Sequence, residues 1–421
     1  MKRFAVIALF LVSVTAYAQN VYEEKIYLPL IKSVKMEVDG AALSFPLIEL
    51  NGDKNLVLKF DELSDQINRY EYRIIHCNAD WTQSDLQPMQ YIEGFETGTI
   101  ESSENSFNTL QNYVHYEQVI PSQIKFLLSG NYVIKVFEEF NEDKVILVKR
   151  FYVSESSSVV GGSVNYPRDP ALQRYNQEVE VAVTPVDGFS FYNPTTNVRV
   201  RVIQNGRRDN AAWLKLHAIS NQTLDYSFDA VNMFEGGNEF RQFDFTSLRS
   251  RSRYVARLDF IEGENQVYLM RDLCKGKLPY VLMGDINGYY YIRNDYDNSI
   301  NSSADLTSDY AWIHFVYEAD RSLEGNYYVA GELSDWYLSE QNKMDYNSSL
   351  NCYTLDLYLK QGFYNYQIIY LPFGSKTGTT SVAEGNHSET ENDYHVLVYY
   401  RKSGDFYDSL IGYARLNTKS Q

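Results

Sequence analysis

The feature that most constrains this chain is its alternation of apolar and polar residues with a period of two. Val34-Lys35-Met36-Glu37-Val38, Leu56-Val57-Leu58-Lys59-Phe60 and Tyr70-Glu71-Tyr72-Arg73-Ile74 alternate cleanly, the pattern of strands with one buried face. Asn131-Tyr132-Val133-Ile134-Lys135-Val136-Phe137 and the run 145–153 follow, joined through an acidic turn, and read as a hairpin. Further strand-like runs come at 178–184, 197–203, 225–228, 239–245, 253–261 and 266–270, then at 312–317, 327–331, 353–359, 363–370 and 394–400. Helical periodicity is confined to 211–216, one or two turns at most. The 37 Tyr and 22 Phe suit the pleated surface of a sheet. The expected fold class is all-β, a row of immunoglobulin-like β-sandwiches.

At roughly 100–200 residues per domain, 421 residues make several domains. The Ser-rich and Gly-rich break after Val153, and the polar stretch near 298–309, place boundaries. The reading is a signal peptide over 1–18, then sandwiches over 19–154, 155–297 and 298–421. Lys2 and Arg3 precede the apolar run Phe4 to Val14, and Ala16-Tyr17-Ala18 fits a cleavage site before Gln19. That run is shorter than the about 20 residues a membrane span needs. Gln19 rather than Cys follows the cut, so no lipid anchor is expected. The mature chain is expected to be exported and soluble.

A formal net charge of −17 disfavours nucleic acid and anionic lipid as partners. Three Cys, at 77, 274 and 352, are too few for a disulfide scaffold and lack metal spacing, so they read as buried inert thiols. No nucleophile elbow, zinc-protease helix or phosphate-binding loop is present, and neither an enzyme nor a cofactor is expected. Gly130-Asn131-Tyr132, Gly325-Asn326-Tyr327 and Gly362-Phe363-Tyr364 read as a turn followed by a strand. Two basic clusters stand out in the acidic chain: Arg201, Arg207 and Arg208, then Arg249, Arg251 and Arg253. Charged strand edges are the plain reading, and a docking patch for an acidic partner the functional one. The run Gly288-Tyr289-Tyr290-Tyr291-Ile292-Arg293 combines the residue types that dominate interface energetics. Tyr289, Tyr290, Tyr291 and Arg293 are therefore candidate partner contacts, with core packing as the alternative.

The ordered block from Tyr70 through His76-Cys77-Asn78-Ala79-Asp80-Trp81 to Gly94-Phe95, then Ser129-Gly130-Asn131-Tyr132 and Arg150-Phe151-Tyr152-Val153, resembles the plug protein family of the type IX secretion system. That resemblance implies an exported β-sandwich protein of Bacteroidota-type bacteria. It implies a periplasmic subunit that binds the outer-membrane β-barrel translocon and closes its periplasmic opening when no cargo passes. His76, Cys77, Asp80, Trp81, Gly94, Phe95, Gly130 and Tyr132 are read as structural members of this block. Neighbouring strand residues face opposite ways, so His76 and Cys77 do not chelate one ion. Asp80 is expected to cap a turn and Trp81 to cover a sandwich end. A second stretch, Val329 to Trp336 with Gly362-Phe363-Tyr364-Asn365-Tyr366, is similar to early-set modules that bind glycogen. It implies an alternative function, a periplasmic carbohydrate-binding protein in which Trp336 stacks on sugar.

Overall fold

The computed structural model describes residues 21–295, 303–319 and 323–418, and the expected signal peptide lies outside them. Strand accounts for 49% of the structure and helix for 5%, which makes the fold all-β. The helical candidate at 211–216 instead contains Ala212–Trp213, a short strand paired with Arg201 and Val202. No helix among the described residues is long and apolar enough to cross a membrane.

The first sandwich has an outer sheet of Ile31–Val38, Leu56–Glu62, Val114–Ile120 and Ser102–Asn105. Its inner sheet carries Asn141–Ser154, Gly130–Glu138 and Tyr70–Cys77 side by side. Alternation decides what each residue touches. Tyr70, Tyr72 and Ile74 enter the core with Phe60, Tyr116 and Tyr132, while Ile75 and Cys77 leave by the other face.

That other face is buried too. Ile75, Cys77, Val133, Val148 and Tyr152 pack against Ile203, Leu397, Tyr399 and Leu410. The latter group belongs to the inner sheet of the second sandwich, formed by Val198–Gln204, Asp393–Tyr400 and Ser409–Asn417. Its outer sheet runs through Ser158–Asn165, Asn176–Pro185 and Thr223–Tyr226. The two sandwiches therefore form four stacked sheets, with three apolar layers between them.

The third sandwich interrupts the second. Its strands include Arg241–Asp244, Tyr310–Glu318, Gly325–Ala330, Cys352–Lys360 and Gly362–Pro372 around one aromatic-rich core. All lie in sequence between Met233–Glu235 and Asp393–Tyr400, both of which pair within the second sandwich. The expected division at 298–421 thus differs from the sheets. Val198 to Gln204 pairs with Tyr400 to Tyr394, about 190 residues away along the chain. Strand periodicity carries no information about so distant a partner. The first sandwich's last strand ends at Ser154, and the second's first strand begins at Ser158.

Candidate interaction site at the junction of the three sandwiches

Residues singled out in the sequence converge where the three sandwiches meet. The tight turn after Tyr70–Cys77 is held by Asp80, whose Oδ1 accepts from Thr82 N at 3.1 Å and Thr82 Oγ1 at 2.7 Å. The turn puts Trp81 at φ 69° and buries its indole against Tyr152, rings 5.3 Å apart. Arg150 lies over that indole at 4.4 Å and donates from Nε to the Tyr22 carbonyl at 2.7 Å. From the third sandwich comes Trp336, at φ 60° and 7% exposed. Two glycines make room for it: a Cβ at Gly206 would lie 2.8 Å from the indole nitrogen, and one at Gly288 2.3 Å from the ring. Tyr289 meets the same indole edge-on at 6.2 Å.

These groups enclose a cavity of about 90 Å³ lined by Trp81, Tyr152, Arg201, Tyr289, Glu332 and Trp336 among others. Each of its acids pairs with at least one cation from another sandwich. Glu332 is 3.4 Å from Lys35. Glu24 is 3.3 Å from Lys149 and also pairs with Arg208, while Asp335 pairs with Lys149. Burial raises the Glu332 carboxyl above its ordinary value, against the pull of Lys35. Carboxylates engaged this way hold parts together. The junction fastens the molecule.

Of the four candidate contacts, the chain itself buries two. Tyr289 lines the cavity, and Tyr290 stacks on Tyr364 at 4.8 Å inside the third core. Lys35 of the first sandwich donates to the Tyr290 carbonyl at 2.7 Å. Direct contact with another protein is therefore left to Tyr291, half-buried on Phe363, and to exposed Arg293. The first basic cluster also turns inward. Arg207 is buried, pairs with Asp209 at 2.7 Å and donates to the Gly378 carbonyl at 3.0 Å, which ties the second sandwich to the third. Arg249, Arg251 and Arg253 are exposed.

The remaining members of the sequence block divide. His76 is buried between Ser84, 2.9 Å from Nδ1, and the Ser129 carbonyl, 3.3 Å from Nε2. Gly130 passes it at φ 147°, where a Cβ would lie 2.5 Å from Nε2. Tyr132 meets the imidazole edge-on at 4.9 Å. Burial pushes the Cys77 thiol up to about 12. Gly94 has φ 110°, but Phe95 beside it is 84% exposed, outside any core. Cys274 also departs from expectation: it is exposed, with Sγ 3.2 Å from the Val382 carbonyl. Sequence reasoning missed one cluster, Lys59, Asp61, His115, Asp305 and Lys360. Period two puts Lys59 and Asp61 on one face, but His115 lies 54 residues away and the partners from the third sandwich 246 to 299 residues away.

Fold and junction together define an all-β protein of three sandwiches locked into one body by buried aromatic rings and ion pairs. Residues 31–155, the first sandwich, match the model for the Type 9 secretion system plug protein 1st domain, and that domain belongs to the plug family. A hypothetical protein from Parabacteroides merdae ATCC 43184, known from a crystal structure, is 34% identical. The alignment covers 95% of this chain and 100% of that one, with a TM-score of 0.91. A putative membrane anchored protein from Corynebacterium diphtheriae aligns over 91% of each chain, at 9% identity and a TM-score of 0.15. No curated protein matches the chain.

Proposed function

We propose that this protein is the plug subunit itself: a periplasmic protein that binds the outer-membrane translocon barrel and closes its periplasmic opening while the barrel is idle. The observation that carries this reading is the family match over residues 31–155. The architecture is in keeping with it. A stopper must resist deformation, and three sandwiches joined by a third apolar layer and buried ion pairs form a stiff body. It acts by occupancy, and no bond is made or broken.

The first sandwich holds several apolar side chains out to solvent, with Met89 82%, Phe95 84% and Phe140 87% exposed. They are the contacts to test on the matched domain. Replacing Phe95 or Phe140 by Asp should weaken capture by the purified barrel about tenfold per residue that contributes roughly 1–2 kcal/mol, with cooperative unfolding retained. Deleting the gene should raise outer-membrane permeability to bulky antibiotics. A barrel that does not retain the wild-type protein, together with unchanged permeability, would refute the reading. The carbohydrate alternative loses its main support, because Trp336 faces Tyr289 and Gly206 rather than solvent.

A further inference from the structure

The outer sheet of the first sandwich meets the third sandwich through a buried cluster of charge. Asp61 is fully buried and accepts three hydrogen bonds: from His115 Nδ1 at 2.6 Å, from Tyr310 OH at 2.6 Å and from Lys360 Nζ at 2.6 Å. Because Nδ1 donates to Asp61, the lone pair of a neutral His115 ring sits on Nε2. His115 is only 8% exposed, and Nε2 has no hydrogen-bond partner. Glu117 Oε1 is 3.5 Å away, beyond a normal N–H···O bond. Asp305, on the short helix Ser303–Thr307 of the third sandwich, completes the group. One donor atom from each of His115, Glu117 and Asp305 lies within 4.8 Å of the others. Among these acids sits the Lys59 ammonium, 3.1 Å from Glu117 and 2.9 Å from Asp305.

We propose that His115 Nε2, Glu117 and Asp305 form a site for one divalent metal ion of zinc's class, which displaces the Lys59 ammonium and bridges the first and third sandwiches. Three features converge on this assignment. One imidazole nitrogen with two carboxylate oxygens is a donor set that zinc accepts, at about 2.0–2.2 Å from each ligand. Tetrahedral ligands at that radius stand about 3.4 Å apart, close to the 3.5 Å between His115 and Glu117. Asp61 supplies the carboxylate that metal-bound histidines commonly engage through their other nitrogen, which fixes ring and tautomer. The position is already a cation site, since an ammonium fills it, and Lys59 is exposed enough to swing out. Lys360 stays on Asp61, and the Tyr113 hydroxyl holds the Asp305 carbonyl at 2.9 Å, so the frame persists without Lys59. A water takes the fourth position. The assignment does not depend on the plug reading.

The test is zinc chloride titrated into the chelator-treated full-length protein, followed by calorimetry and thermal melting. Cobalt(II) chloride gives the spectroscopic signature of a four-coordinate nitrogen–oxygen site. One ion per chain is expected. Glu117→Gln and Asp305→Asn should weaken binding at least tenfold, and Asp61→Asn, a positioning change, about 10–100-fold. Lys59→Met should tighten binding, because it removes the competing ammonium. Wild-type protein that binds zinc no better than folded Glu117→Gln protein would overturn the proposal. Should the acid variants fail to fold, an unchanged zinc affinity in Lys59→Met would overturn it alone.

Discussion

His76 and His395 are imidazoles sealed into layers between sheets, and burial pushes each down to about 4. His395 stacks on Phe45 at 4.1 Å, between the first and second sandwiches. A depressed histidine stabilises the fold while neutral. Its contribution is complete above about pH 6.5 and is lost as pH falls from there toward 4. For His76 the full linkage is on the order of 3 kcal/mol at 1.36 kcal/mol per unit. Melting temperature should therefore drop steeply between pH 6.5 and 4, a series that calorimetry follows directly. A flat profile across that interval would refute the assignment of neutral, buried rings. Gly130→Ala acts on the same pocket, since its methyl would meet the His76 ring at a backbone angle that L-residues avoid. A loss of about 2–4 kcal/mol in chemical denaturation is expected, the scale of an overpacked core combined with backbone strain.

Among the elements, the glycine-x-tyrosine openings were legible in the sequence and gain a physical reason here. Gly130, Gly325 and Gly362 each begin a strand. Tyr132 OH donates to the Leu128 carbonyl at 2.7 Å, and Tyr364 OH to the Lys360 carbonyl at 2.6 Å. The hydroxyl thus pins the strand to the turn four residues upstream, as tyrosine corners do in other sandwiches. Tyr132→Phe and Tyr364→Phe should each cost about 1–2 kcal/mol in urea unfolding, with the fold retained, because each removes the hydroxyl donor of a carbonyl that is partly buried at Leu128 and buried at Lys360. The strand positions and the opposed faces of His76 and Cys77 could be read because they depend on local periodicity. Tyr289 and Tyr290 could not be sorted from surface residues, because the alternation of a strand buried on both faces looks the same as that of a contact strand. The covering groups, Lys35 and Trp336, are remote in sequence.

For the whole molecule, the layer between the first two sandwiches means that neither is an independent module. A fragment ending at residue 155 exposes Ile75, Val133, Val148 and Tyr152 together, a continuous apolar face. It should self-associate in sedimentation at concentrations where the full chain does not. Replacing Val133 and Val148 by Thr in the fragment should restore the monomer. Cutting the chain after residue 392 removes two strands of the second sandwich's inner sheet and leaves Val198–Gln204 only its short pairing with Ala212–Trp213. The product should lose cooperative unfolding of the second core while the third, whose strands all precede the cut, keeps its own transition. The sequence-based expectation of three successive sandwiches misses this because the chain leaves the second sandwich, builds another and returns.

That return also sets a timetable. A chain made from its amino end delivers Val198–Gln204 long before Asp393–Tyr400, with an entire sandwich in between. The first and third sandwiches have all their strands early, while the second must wait, its inner sheet half-built and its valines uncovered, until the last few dozen residues arrive. Throughout that interval it is an open sheet edge seeking a partner. The finished protein therefore closes from its carboxyl end, and a stop codon that removes only the final strand leaves a molecule that is never shut.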